Sequence, residues 1–83
     1  SESMRATLEW GTRGIIDRVM RCISEGRADQ SLQVTQDPAA LAATLYQLWL
    51  GGSLMVKISR SRGPLDTTMA STRQLLGLAD SPG

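Results

Sequence analysis

Cys22 is the single thiol of the chain. Arg18 and Arg21 beside it would favour the thiolate, the reactive form, if the sulfur met solvent. Cys22 also keeps helical register with Ile15 and Val19, which reads as a small buried hydrophobe, and that reading is preferred. No histidine is present, so the commonest general base and the commonest metal ligand are both missing. No Ser–His or Cys–His pair can form, no glycine-rich phosphate loop follows a strand, and the carboxylates do not cluster. The residues predict no enzyme, no metal site and no cofactor. Lys57, Arg60 and Arg62 read as a solvated helix end rather than a phosphate site. Trp10 could stack on Arg13, cover a neighbouring helix or line a pocket, and the pattern leaves these open. Trp49 falls on an apolar face and reads as core. Met20, Met55 and Met69 could give an adaptable apolar lining, although methionine at helical spacing usually fills core.

The elements that must position these groups are constrained by size. A chain of 83 residues with 41% hydrophobic side chains is at most one domain. A domain this small buries only about 60% of the surface its unfolded chain exposes, so help from a partner chain or from further sequence is expected. The opening Ser1-Glu2-Ser3 lacks an initiator Met, and the sequence reads as a piece of a longer protein. A net charge of +1 leaves no broad electrostatic footprint for nucleic acid. No signal peptide and no uninterrupted apolar run of about 20 residues is found. With one cysteine and no disulfide framework, a cytoplasmic protein is expected.

Periodicity predicts three helices. The first runs from about Met4 to Glu25, with Ser3 as N-cap and Gly26 as the left-handed stop. Met4, Leu8, Gly11, Ile15, Val19 and Cys22 form its expected buried stripe, widened by Thr12, Ile16, Met20 and Ile23. Glu9, Arg13, Asp17, Arg21 and Glu25 form a solvated ladder of alternating charge. Leu32 and Val34 pin the polar connection that follows. Helix two opens at Asp37-Pro38, an N-cap followed by proline, and continues to about Ser61. Arg60 and Arg62 suit the negative end of its dipole. Helix three starts at Pro64 or Leu65, carries Leu65, Met69, Thr72 and Leu76 on one side, and fades at Gly77. Ala79 to Gly83 reads as a frayed tail.

Helix two is apolar on opposite sides. One side carries Leu41, Leu45, Leu48, Trp49, Gly52 and Val56. The other carries Ala43, Leu50, Leu54 and Ile58, with Gln47 and Gly51 alongside. A helix apolar nearly all round must be sandwiched. Its two internal glycines each cost about 1 kcal/mol relative to alanine, which close approach of a neighbour would offset. A buried strand over Leu48–Met55 is the alternative, but the flanks carry helix caps and no turn signals.

The run Leu48-Trp49-Leu50-Gly51-Gly52-Ser53-Leu54-Met55-Val56-Lys57-Ile58-Ser59-Arg60-Ser61, followed by Pro64-Leu65, resembles the C-terminal regulatory region of TetR-family transcriptional repressors, their NemR-like branch in particular. Met4-Arg5, Gly11, Arg13-Gly14 and Glu25-Gly26-Arg27 extend the resemblance from Ser3 to Leu76. It implies an all-α fold in which residues 1–83 are the C-terminal part of an effector-binding and dimerisation domain. The last two helices would contribute to an intermolecular four-helix bundle. The implied partners are a second copy and a small-molecule effector, with DNA bound only through a helix-turn-helix domain outside this chain, and no membrane. The branch is associated with electrophile sensing through a cysteine upstream of this region. Cys22 does not sit in that motif, and the role is not carried over to it.

The expected dimer seam is Gln47, Leu50, Gly51, Leu54 and Ile58, with Leu65, Met69, Thr72 and Leu76 either joining it or packing on helix two. The wheel shows two faces without labelling them, so the faces could be exchanged. Trp10, Ile16 and Met20 are the candidates for the effector pocket. A stand-alone helical module that binds another protein is the alternative reading, and a helix-turn-helix pattern upstream in the parent gene would decide against it.

Overall fold

A computed structural model describes residues 2–78. It holds α1 (Glu2–Ala28), α2 (Pro38–Ser59) and α3 (Gly63–Leu75), and no strand among the described residues. The fold is all-α, as expected, and the strand alternative for Leu48–Met55 is overturned because α2 runs unbroken through it. The expected tail at Ala79–Gly83 lies outside the described residues. The three helices make a flat body of 45 × 33 × 14 Å in which α2 is central and packs on both α1 and α3.

Helix boundaries follow from local chemistry. The Asp37 carboxylate accepts from the Ala40 N–H at 3.1 Å, and Pro38 begins α2 where no intrahelical N–H is needed. α2 stops at Arg60, whose left-handed backbone (φ 54°) lets its N–H reach the Val56 carbonyl at 2.8 Å. α3 ends in a Schellman arrangement around Gly77 (φ 69°). Gly77 N–H donates to the Gln74 carbonyl at 3.1 Å and Leu78 N–H to the Arg73 carbonyl at 2.9 Å. A side chain on Gly77 would also run into the Gln33 backbone, so glycine is required there twice over.

The ends of α1 depart from expectation. Ser3 is not an N-cap, because the helix already includes Glu2 and the Ser3 carbonyl accepts from the Thr7 hydroxyl inside it. Gly26 is not the stop either. It is helical and buried, and the left-handed residue is Gln30 (φ 66°). A Cβ on Gly26 would lie 2.6 Å from Leu32 Cδ1, so this glycine exists to let the connection fold back onto the helix. The Gly26 carbonyl receives the Leu32 N–H at 3.0 Å. In the same turn, the hydroxyl and then the backbone N–H of Ser31 hold the Asp29 carboxyl below the usual carboxylate range.

Ile23, Val34, Leu41, Ala42 and Leu45 form the core, with Ile16, Val19, Met20, Leu32, Leu48, Trp49, Leu75 and Leu76 packed around it. Val34 and Leu32 pin the connection as predicted. The packing side of α1 is therefore the expected widening of the stripe, Ile16, Met20 and Ile23, with Val19, and it lies about a quarter turn from the centre of the stripe expected to be buried. Met4, Leu8, Gly11, Ile15 and Cys22 are exposed, with Met4 at 64%. For Met4, Leu8 and Gly11 the reason is length: a 27-residue helix spans about 40 Å, and only its C-terminal half lies against α2 and the connection. Ile15 and Cys22 lie in that half but on a side turned away from α2.

α2 has a mean hydropathy of 1.4 over its most apolar window, enough by length and composition to cross a membrane. The sequence expectation looked for an uninterrupted apolar run, and Gln47, Ser53 and Lys57 interrupt this one. Packing on α1 and α3 accounts for the apolar character of one side of the helix. The other side is the candidate site.

Candidate dimerisation face and apolar cleft

The side of α2 turned away from α1 and α3 carries Gln47, Leu50, Gly51, Leu54 and Ile58, and all five are exposed. Leu54 is 58% and Ile58 66% accessible. Each large apolar side chain left in water forgoes about 1.5–3 kcal/mol of burial free energy. Leu45, Leu48, Trp49 and Gly52, expected to pack inward, are buried or half-buried. Met55 is exposed beside Gly51 and belongs with the outer group, although the sequence expectation omitted it. On the wheel it lies between the two sides, about 40° from Gly51 and about 20° from Leu48, so spacing alone did not assign it.

On α3 the expected set divides. Leu65 and Met69 are exposed, whereas Thr72 is only 8% accessible and Leu76 packs against the core. The physical cause is a hydrogen-bonded chain. Trp49 Nε1–H donates to Thr72 Oγ1 at 2.9 Å, and that hydroxyl donates to the Thr68 carbonyl at 2.7 Å. Thr72 and Leu76 therefore take the second of their two expected places, on helix two.

The adjacent glycines of α2 differ. A Cβ on Gly52 would overlap the Thr68 hydroxyl and lie 3.1 Å from Thr68 Cβ, so Gly52 is the point where α3 closes on α2. A Cβ on Gly51 would meet nothing within 4 Å.

The expected effector residues do not come together. Trp10 is 80% accessible and borders a shallow notch of about 320 Å³ on α1, with Gly11, Arg13, Gly14, Ile15, Asp17 and Arg18. Ile16 and Met20 belong instead to the packing around the core. A second cavity, of about 290 Å³, opens where α1, the connection, α2 and the end of α3 meet. Its walls are Arg18, Val19, Cys22, Ile23, Leu32, Leu45, Trp49 and Leu76. Cys22 is thus exposed on a cleft wall rather than buried as core filler, because the Ile23 side of the helix, not the Cys22 side, faces α2. The indole of Trp49 is held in this wall by its bond to Thr72. Apart from the stem of Arg18 the lining is apolar, which suits a small apolar ligand rather than catalysis. The sequence signal for the cleft was the pair of apolar residues in the otherwise polar connection.

The chain exposes 6446 Å², where a compact monomer of its 9.0 kDa would expose roughly 4,900 Å². The excess, about 1,500 Å², is a property of the whole chain and includes the N-terminal half of α1, where residues 2–11 are all exposed.

Comparison with known proteins places the chain in a family. The chain is 37% identical over 76 residues to the HTH-type transcriptional repressor NemR of Escherichia coli K12, and equally to that of strain CFT073. That match covers 92% of this chain and 38% of each relative. The crystal structure of the reduced form of E. coli NemR superposes with a TM-score of 0.91 at 37% identity, over 95% of this chain and 42% of that one. The chain thus spans about two fifths of the length of these relatives, which are named as repressors and not as enzymes. The family model described as tetracyclin repressor-like, C-terminal domain, matches residues 1–72, and the chain belongs to that family.

Proposed function

We propose that the chain is the distal part of the regulatory domain of a TetR-like transcriptional repressor, serving homodimerisation and supplying one wall of an effector pocket. The observation that carries the reading is the outer stripe of α2. Leu50, Leu54 and Ile58 stand in water on a helix whose other side is fully used. Covering that stripe with a second copy, together with exposed Leu65 and Met69 of α3, makes a four-helix bundle from two α2–α3 pairs.

The effector reading rests on the apolar cleft at Cys22 and Trp49 rather than on Trp10, Ile16 and Met20. Operator DNA is bound by a helix-turn-helix domain beyond this chain, and a cytoplasmic location goes with that role. An effector seated against α1 and α2 favours one placement of the two subunits over another. The spacing of the two recognition helices then moves into or out of match with half-sites about 34 Å apart. A stand-alone interaction module has no particular observation in its favour beyond the exposed apolar side chains, and the family membership supports the repressor reading over it.

The test is sedimentation of the 83-residue chain. The wild-type chain is expected to sediment as a dimer, and Leu54→Arg as a folded monomer with unchanged helicity. A dimer that survives Leu54→Arg would remove the stripe from the interface.

A further inference from the structure

Arg18 is the charged residue in the wall of the cleft between α1, the connection, α2 and the end of α3. The residue is exposed as a whole, so its guanidinium keeps to water at the mouth while its methylenes cover apolar wall. Every other wall residue is apolar or a thiol, and no carboxylate lines the cleft. Arg18 also borders the outer notch of α1, whereas Asp17 borders the notch alone. The inner walls are fixed before any ligand arrives. Leu45 is 1% accessible, and the Trp49 indole is tied to Thr72 Oγ1 at 2.9 Å. The cleft holds about 290 Å³, just below the small end of ligand pockets, about 300–1,000 Å³. Its occupant must be small, apolar along most of its length, and matched at one end to a cation.

We infer that the cleft binds a small amphiphilic anion, its apolar body against Leu45, Trp49 and Leu76 and its carboxylate on the Arg18 guanidinium. This rests on the effector reading of the cleft above and adds to it the chemical class of the ligand. A neutral or cationic ligand with the same body forgoes the charge-assisted bonds that a guanidinium gives a carboxylate. The head stays in the wet mouth, so the gain is that of an exposed pair, severalfold in affinity rather than orders of magnitude. Removal of the body from water supplies the rest of the binding.

The probes are octanoate, octan-1-ol and octylammonium, which share one body and differ in the head. Occupancy is read from the emission of Trp49 in a Trp10→Phe chain. A second readout is the rate at which uncharged iodoacetamide alkylates Cys22, the single thiol, with and without probe. Octanoate is expected to bind about fivefold more tightly than octanol, and octylammonium more weakly than either. Arg18→Gln should bring octanoate to the level of octanol and leave octanol unchanged, while Arg18→Lys should keep part of the preference. Octanol binding as tightly as octanoate, or Arg18→Gln weakening all three probes alike, overturns the anionic class and leaves an apolar effector cleft standing. Failure of all three to bind or to protect Cys22 removes the cleft reading itself. Alkylation of Cys22 that slows on concentrating the chain without probe seats a second copy in the cleft and overturns both.

Discussion

The two sides of α2 are alike in composition and opposite in circumstance. The inner side, with Leu41, Leu45, Trp49 and Gly52, is buried or half-buried against α1, α3 and the connection. The outer side, with Leu50, Gly51, Leu54 and Ile58, faces water. Each side holds one glycine and several large apolar residues, yet only the inner glycine has a neighbour within reach. Hydrophobicity therefore says that both sides need cover, and only packing says which side this chain covers itself. The inner side carries the fold of this chain, and the outer side is left uncovered by it.

That division gives the largest expected effect. Leu45 is 1% accessible, and Leu45→Ala removes methyl groups from the centre of the core, which typically costs 2–5 kcal/mol. A chain this small has a stability of the same order, so the variant is expected to lose its cooperative thermal transition by circular dichroism. Leu50→Ala, measured in monomer at high dilution, should fall within about 0.5 kcal/mol of wild type. Equal losses at both positions in the monomer would abolish the distinction between the two sides.

Gly52→Ala gives the next effect. The added methyl overlaps the Thr68 side chain where α3 lies closest, and overpacking of this kind costs about 1–3 kcal/mol. The shift should appear as a lower denaturation midpoint in urea at any protein concentration. Gly51→Ala, one residue away, should lower only the concentration-dependent part of stability. The contrast between neighbours separates a contact inside the subunit from one between subunits.

How far the sequence reached depends on the kind of information each feature needed. The three helices and the two-sided character of α2 were legible because proline, glycine and apolar spacing are local signals. The inner and outer labels of α2 also agreed with burial, although the wheel alone left them interchangeable. The stripe on α1 was misjudged because Met4, Leu8, Ile15 and Cys22 have the spacing of a buried face, yet only half of that long helix meets a neighbour in this chain. Cys22 was misread as core for another reason: it lies in the half that packs, but the Ile23 side of the helix and not its own faces α2. The role of Gly26 was illegible, since a glycine that ends a helix and one that admits Leu32 look identical in sequence. The cleft needed residues from four separate segments, and no spacing rule brings those together.

The smallest effect tests the residue whose place the sequence left between the two sides. Thr72 was expected either at the seam or against helix two, and in the structure its hydroxyl accepts from the Trp49 indole. Thr72→Val keeps the shape of the side chain and removes only that hydroxyl. The indole N–H, half-buried between α2 and α3, then has no acceptor there, and leaving such a donor unsatisfied costs roughly 1–3 kcal/mol when it is fully buried. Partial exposure of Trp49 places the expected loss near the low end, about 1 kcal/mol, and Thr72→Ser should recover most of it. The dimer dissociation constant should not move, because the hydroxyl faces its own chain. If Thr72→Val instead weakens the dimer while thermal unfolding of the monomer stays unchanged, Thr72 belongs to the seam after all. The boundary between the two sides would then run through α3 rather than along α2.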